Sequence, residues 1–432
     1  MSSPQDPSPK SSTSPPTNGQ LYQAEATAHT PEFLKLCLAV LCERWAAFML
    51  ISTVAVMLCE RFGFPRPDAL RLWGLVSAAS YVGSLPGGQL LDRTRTPSRG
   101  IGIASLTLLL GYVALVVPVR ASLYMALTLF IVGHAIFKPS TQRIIAALYP
   151  TGDRRFEGAQ ILLYFTANVG AVCGSFLAGL LARFAGWGVT YASAALLMSV
   201  GALLLLTMDT RPTESIRSRE TLDSIHTKQS TLSVPNRVSL TSGLTIAMFL
   251  FSLCTTQMEG AILLWANDRI DAVLVGFSIP TAWFLAFPAV LVLIFAPLQL
   301  AVLPTLKARF GLCRLIATGL ISSAASFAVL LPTTQYASRV SLAWLAMSMC
   351  CFVIAELLIA PLGLSLLLRC IPKRFVGAVT GLWYSAGALG YYVGGEIGAL
   401  WSRWPTHRVL LLLSLLPLCG AALLWRVRTP SQ

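Results

Sequence analysis

The chain has 432 residues, of which 55% are hydrophobic and only 12% charged, and its formal net charge is +14. A soluble domain carries about 25% charged residues, so about half the usual solvating charge is missing, which speaks against a soluble enzyme. The basic excess sits in short stretches between apolar blocks rather than in one patch, which speaks against a nucleic-acid partner.

Residues 1–30 are rich in Ser, Pro and Thr and contain no apolar run. Such a segment cannot bury enough surface to fold and reads as a disordered cytoplasmic tail; it also lacks the apolar core of a signal peptide. Phe33–Leu58 is the first of a series of long apolar blocks. About 20 apolar residues cross about 30 Å of hydrocarbon as a helix, and helix satisfies every backbone polar group within the segment. The blocks do not alternate polar and apolar residues, as barrel strands would. Further spans are predicted near Leu72–Leu91, Ile101–Val119, Ala121–Leu148, Ala159–Phe184 and Trp187–Met208. A polar stretch then precedes six more, near Gly243–Ala266, Pro280–Leu303, Leu312–Leu331, Ser341–Cys370, Val376–Leu400 and Val409–Trp425.

The pattern predicts an all-α membrane protein with the major facilitator fold, twelve transmembrane helices in two six-helix halves. Its parts are the tail at 1–30, an N-terminal half at 31–208, a cytoplasmic linker at 209–241 and a C-terminal half at 242–427. Lys and Arg concentrate after spans two, four, eight and ten: Arg93, Arg95, Arg99; Arg143, Arg154, Arg155; Lys307, Arg309, Arg314; Arg369, Lys373, Arg374. The positive-inside bias then puts both termini in the cytoplasm, in a plasma or inner membrane. The ten cysteines lie almost entirely in apolar stretches and form no CxxC or zinc-type cluster, so no metal or cofactor is expected. No Walker A or HExxH pattern is present, and the four histidines are scattered, which argues against an enzyme.

Ionisable residues within spans are the candidates for function, since each costs at least about 2.5–3.5 kcal/mol at the bilayer centre. They are Glu43 and Arg44 in span one, Lys138 in span four, Glu259 in span seven and Glu356 in span ten. Cations come mainly from the first half and acids from the second. A cavity between the halves would then be positive on one wall and negative on the other, which suits a zwitterion. His134, one turn before Lys138, has two readings, a member of a proton path or, more simply, a polar packing residue.

In this order and spacing, several segments carry a resemblance. Span one has Val40-Leu41-Cys42-Glu43-Arg44-Trp45-Ala46-Ala47-Phe48, part of an ExxERFxYY pattern, and span two has Tyr81 ahead of Gly87-Gly88. Span four reads Ile136-Phe137-Lys138-Pro139-Ser140, similar to FKPN, and span five reads Leu163-Tyr164-Phe165-Thr166-Ala167-Asn168-Val169-Gly170-Ala171. Span ten carries Ala355-Glu356-Leu357-Leu358-Ile359-Ala360-Pro361-Leu362-Gly363-Leu364-Ser365, followed by Gly381-Leu382-Trp383-Tyr384. Past the tail, the chain resembles the proton-dependent oligopeptide transporter family of the major facilitator superfamily. The resemblance implies symport of di- or tripeptides, or peptide-like zwitterions, with protons as the coupling ion. It implies that Arg44 and Lys138 face the peptide carboxylate, that Glu356 takes the amine, and that Tyr81, Tyr164 and Asn168 bind the backbone. Trp283 and Trp383 would line side-chain pockets, Glu43, Lys138 and Glu356 would couple protons, and Gly87, Gly88, Asp92 and Arg93 would form a gating hinge.

Departures from the family pattern are as specific. Its first span-one glutamate is Val40, its paired tyrosines are Ala47 and Phe48, its span-seven glutamate falls at Thr255 or Thr256, and its span-eight asparagine is Pro288. Two other readings therefore stay open: an uncoupled or exporting member with another small organic substrate, and a non-transporting membrane sensor.

Overall fold

A computed structural model of the chain describes residues 30–92, 97–149, 155–208, 234–274, 276–370 and 376–426. The expected tail falls outside the described residues except for Thr30, as does most of the expected linker. The described chain is almost wholly helical, and eight of its helices are long and apolar enough to cross a membrane.

The first helix, α1 (Pro31–Ile51), starts where Thr30 accepts a hydrogen bond from the Phe33 amide and Pro31 presets the first turn. It does not run on as the single span Phe33–Leu58 that hydropathy predicts. The hydroxyls of Ser52 and Thr53 bond back to the carbonyls of Phe48 and Met49, and α2 (Val54–Glu60) follows the break. Next come α3 (Arg66–Asp92), α4 (Pro97–Val116), α5 (Arg120–Leu148), α6 (Arg155–Phe184) and α7 (Gly186–Leu206). The second set begins with α8 (Val234–Thr256), inside the stretch expected to be linker. A widened π turn, Gln257–Ala261, joins α8 to α9 (Ile262–Arg269). Then follow α10 (Trp283–Phe310), α11 (Leu312–Ala328), α12 (Leu342–Cys370), α13 (Val376–Leu400) and α14 (Thr406–Trp425). Between α9 and α10, β1 (Ile270–Asp271) pairs with β4 (Val340–Ser341), and β2 (Val273–Leu274) forms a hairpin with β3 (Phe277–Ser278).

Two large apolar cores hold these helices together. One is built from residues between Phe33 and Met208, the other from residues between Leu240 and Leu424. Lipid is as apolar as leucine, so the helices associate through close packing and polar contacts. Small residues make the closest approaches. A Cβ on Gly174 of α6 would stand 2.3 Å from the Trp45 carbonyl oxygen, and one on Gly170 would stand 2.9 Å from the Arg44 Cβ. These glycines set the depth at which α1 carries Arg44 toward the interior.

Gly174→Val should therefore destabilise the fold by about 1–3 kcal/mol through overpacking, read as a lower unfolding midpoint in detergent. Gly188→Ala, where no atom lies within 4 Å of the added Cβ, is the control expected to leave that midpoint unchanged. Equal midpoints for both variants would mean that α1 and α6 can separate freely.

The two sets of helices meet along α3 with α13 and α6 with α10. Among the described residues, their polar contacts gather at the end of the bundle opposite the start of α1 at Pro31. There Arg66 pairs with Asp268, and Arg71 Nε lies 3.0 Å from Glu396. Arg183 donates to the Ser278 carbonyl, and Trp283 Nε1 donates to the Phe176 carbonyl at 3.0 Å. At the same end Gly74 of α3 and Gly395 of α13 touch backbone to backbone.

Candidate functional site

A cavity of about 390 Å³ lies between the two sets of helices, within the range of about 300–1,000 Å³ typical of small-molecule sites. Each wall follows from helical periodicity. On α5, Phe130, His134 and Lys138 are spaced four apart and share one face; on α12, Met349, Phe352, Glu356 and Ala360, three or four apart, share another. On α8 and the π turn, Ser252, Thr255 and Glu259 make a third such stripe.

Proline shapes the α12 wall. Pro361 has no N–H to offer the Leu357 carbonyl one turn earlier. Gln299 of α10 donates its amide to that carbonyl at 2.8 Å instead, so the helix continues without a bare acceptor. The exchange ties α10 to α12 one residue from Glu356. The π turn is held in a comparable way: Gln257 Nε2 donates to the Gly394 carbonyl at 2.6 Å, and Trp401 Nε1 donates to Gln257 Oε1 at 3.1 Å.

Arg44 reaches the cavity from α1 with a buried partner behind it. Its Nε and Nη2 each lie 2.5 Å from a different oxygen of Glu43, a bidentate pair in which Glu43 is only 1% exposed. Glu43 Oε1 also lies 3.3 Å from His134 Nε2. Lys138 has no ion pair among the described residues, and its ammonium lies over the Tyr81 ring, 4.5 Å from the centroid. Tyr81 in turn packs at a tilt against Tyr391, ring centroids 4.9 Å apart, which carries the aromatic floor across to the second set of helices. Asn168 lines the cavity with its Nδ2 bonded to the Tyr164 carbonyl at 2.9 Å. Facing this cationic wall are Glu259 and Glu356, neither with an ion pair among the described residues.

Of the residues expected from sequence, Arg44, Tyr81, Lys138, Asn168 and Glu356 come together on the cavity. Three others do not. Tyr164 is 46% exposed and lies outside the lining. Trp283 stacks on Phe176 at 4.2 Å near the closed end of the bundle. Trp383 is 2% exposed and packs on Gly363, where it belongs to the core of the second set. Both tryptophans contact protein here rather than the cavity lining. Gly87, Gly88 and Asp92 fall in the last turns of α3, and Arg93 lies outside the described residues.

Two further lining residues, Glu259 and His134, carry no binding role in the sequence reading, though Glu259 is already a candidate there as a charge within a span. Each sits one helical turn from a residue the sequence pattern singled out, Thr255 and Lys138 respectively, and that i+4 spacing is the signal that marks them. Pro288 also lines the cavity, as does Thr255, so the apolar or neutral residues at the family's polar positions do face the site.

Comparison with known proteins agrees with this geometry. The chain is 24% identical to the peptide transporter YePEPT of Yersinia enterocolitica, over 83% of its own length and 86% of the relative's. It is 23% identical to dipeptide and tripeptide permease A of Escherichia coli K12, over 83% and 82%. Among solved structures it is similar to a peptide transporter POT in complex with sulfate, with a TM-score of 0.81 at 20% identity over 92% and 94% of the two chains. A POT family transporter in complex with 5-aminolevulinic acid also gives 0.81, at 17% identity over 91% and 95%. The family model for the Major Facilitator Superfamily matches residues 36–395. With that match over most of the chain, and a charged cavity between two helical sets, this multi-pass integral membrane protein belongs to the Major Facilitator Superfamily.

Proposed function

We propose that the protein is a secondary active transporter, not an enzyme, that moves di- and tripeptides or peptide-like zwitterions by proton-coupled symport. The observation that carries this reading is the polarity of one cavity, with Arg44 and Lys138 on the wall from the first set of helices and Glu259 and Glu356 on the wall from the second. A free peptide presents a carboxylate to the first wall and an ammonium to the second. Asn168 and Tyr81 offer polar and aromatic surface between them. The peptide transporters that the chain resembles in sequence and in fold support the same substrate class.

In this reading the chain crosses the bilayer twelve times in two six-helix halves. The pair α1–α2 counts as one broken span, and α8, the π turn and α9 as another. Both termini are cytoplasmic, so the end closed by Arg66–Asp268 and Arg71–Glu396 faces outward and the cavity opens inward. Substrate entry from outside requires those pairs to part. Protons supply the drive, and no other cofactor takes part.

A second reading keeps the substrate class and drops the coupling. Val40 stands in the apolar core at the position of the family's first glutamate, and Pro288 and Thr255 face the cavity without charge.

Binding separates peptides from other solutes. The purified protein is expected to be thermally stabilised by Ala-Ala and tri-alanine, and at least about tenfold more weakly by N-acetyl-Ala-Ala, since one ion pair in a partly dry site contributes about 1.4 kcal/mol or more. Equal stabilisation by the acetylated and free forms, or by neither, would contradict a zwitterion site.

A further inference from the structure

The second wall of the cavity holds one acid more than a simple peptide can use. On the first wall Arg44 is matched by Glu43, and Lys138 is the cation without an ion pair among the described residues. The second wall offers two carboxylates, Glu259 and Glu356, neither of them in an ion pair among the described residues. A zwitterion brings one carboxylate and one ammonium. It answers Lys138 and one of the two acids, and the other acid is left in a poorly solvated site without a counter-charge, which is costly.

The two acids stand at different depths. Pairing of β1 with β4, Ile270 against Val340, brings the end of α9 level with the start of α12. Glu259 lies ten residues before Arg269, the last residue of α9, and Glu356 fourteen residues after Leu342, the first of α12. At about 1.5 Å of rise per residue, Glu259 is about 6 Å nearer the closed end of the bundle.

The place of Glu259 is fixed by its own contacts. The π turn carries it, and Gln257 ties that turn to the Gly394 carbonyl and to Trp401. Gly260 lets α3 approach the turn: a Cβ there would stand 2.7 Å from Leu70 Cδ2 and 4.0 Å from Trp73 Cδ1. Trp73 lies beside Glu259 in the cavity lining and is only 7% exposed, yet its indole Nε1 completes no hydrogen bond among the described residues. A buried donor left open in this way marks a place that a polar occupant completes. Tyr81 and Tyr391 line the same region, and aromatic faces beside a carboxylate favour an ammonium over an apolar group.

We propose that Glu259 is the subsite for a basic side chain, and that the preferred substrate is a dipeptide whose N-terminal residue carries a lysine-like amine. The substrate's α-ammonium rests on Glu356 and its carboxylate faces Lys138 and Arg44. Its four-carbon stem passes the aromatic rings and sets the side-chain ammonium on Glu259. Every charge in the cavity then has a counterpart: Glu43 has Arg44, Lys138 has the substrate carboxylate, and each ammonium has its own acid.

This inference rests on the proposed peptide site, and its tests keep the two apart. Lys-Ala and norleucyl-alanine share the same stem and differ by the terminal amine. Their affinities are measured by titration calorimetry on purified wild type and Glu259→Gln. Wild type should bind Lys-Ala at least about tenfold more tightly than norleucyl-alanine. In Glu259→Gln that ratio should fall to about one; it is read within one protein, so a general weakening of the site cancels. A ratio of about one in wild type, with both peptides bound, overturns the subsite and leaves the peptide site standing. A preference kept in full by Glu259→Gln also overturns it, since the basic group is then held elsewhere. If wild type binds neither peptide, the peptide site itself fails.

A second measurement needs no substitution. Wild type is titrated with alanyl dipeptides whose N-terminal residue is 2,4-diaminobutyrate, ornithine or lysine, so that the amine moves outward one methylene at a time. Affinity should rise along the series as the amine comes within reach of Glu259. A flat or falling series would overturn the proposal.

Discussion

Glu356→Gln is expected to abolish accumulation of peptides that carry a free amine. Glu356 sits on the α12 wall with Phe352 and Ala360, and its neighbouring carbonyl is fixed by Gln299. A glutamine keeps the volume and the hydrogen bonds but cannot balance an ammonium. Truncating one partner of a charge pair in a desolvated site costs about 2–5 kcal/mol, or on the order of 30-fold and more in affinity. N-acetylated peptides should bind the variant and wild type alike, because they bring no charge to that wall. Uptake of radiolabelled Ala-Ala against its acetylated form reads this directly. If Glu356→Gln transports free peptides as wild type does, Glu356 is structural, and Glu259 on the same wall becomes the amine's partner.

Arg44 should be even less replaceable. Arg44→Ala removes the substrate's carboxylate partner and also leaves Glu43 buried at 1% exposure with only His134 beside it. Breaking a buried ion pair on one side costs about 3–5 kcal/mol, so this variant should lose both transport and thermal stability. Arg44→Lys separates the two losses. It restores a positive charge next to Glu43, so the protein should fold. Lysine presents a compact point charge in place of a planar fork, so the bidentate grip at 2.5 Å on both oxygens cannot be rebuilt. Its uptake should therefore lie well below wild type at near-normal stability. Wild-type uptake in Arg44→Ala, with normal expression, would remove Arg44 from the site.

Much of this was legible in the residues alone. Apolar blocks of span length marked most helices, and rare charges within them marked the cavity, because burying a charge in lipid demands a partner or a purpose. Arg44, Lys138 and Glu356 were found that way. What hydropathy could not show was local backbone geometry. The Ser52–Thr53 break and the π turn at Gln257–Ala261 leave the average apolarity unchanged, and both depend on side-chain-to-backbone bonds formed only in the folded chain. The α8 start at Val234 was hidden in the same manner, by a first turn of polar residues that reads as linker. Aromatic residues misled for another reason. Trp283 and Trp383 fit a pocket-lining role by position, but the sequence does not say which surface each ring meets, here Phe176 and Gly363. For His134 the sequence leaves packing and a proton path both open, because its neighbour Glu43 is remote in sequence from it. Only the packing of α1 against α5 brings the two within 3.3 Å.

The most direct test of the account is uptake of Ala-Ala by wild-type protein in proteoliposomes, measured with and without an inward pH gradient and no other driving ion. The account predicts accumulation above the equilibrium level only when the gradient is present, collapse on adding a protonophore, and competition by tripeptides but not by N-acetylated dipeptides. Uptake that equilibrates and never exceeds the outside concentration under any gradient would contradict proton symport and leave a facilitator; no peptide uptake or exchange at all would contradict the transporter reading of this cavity.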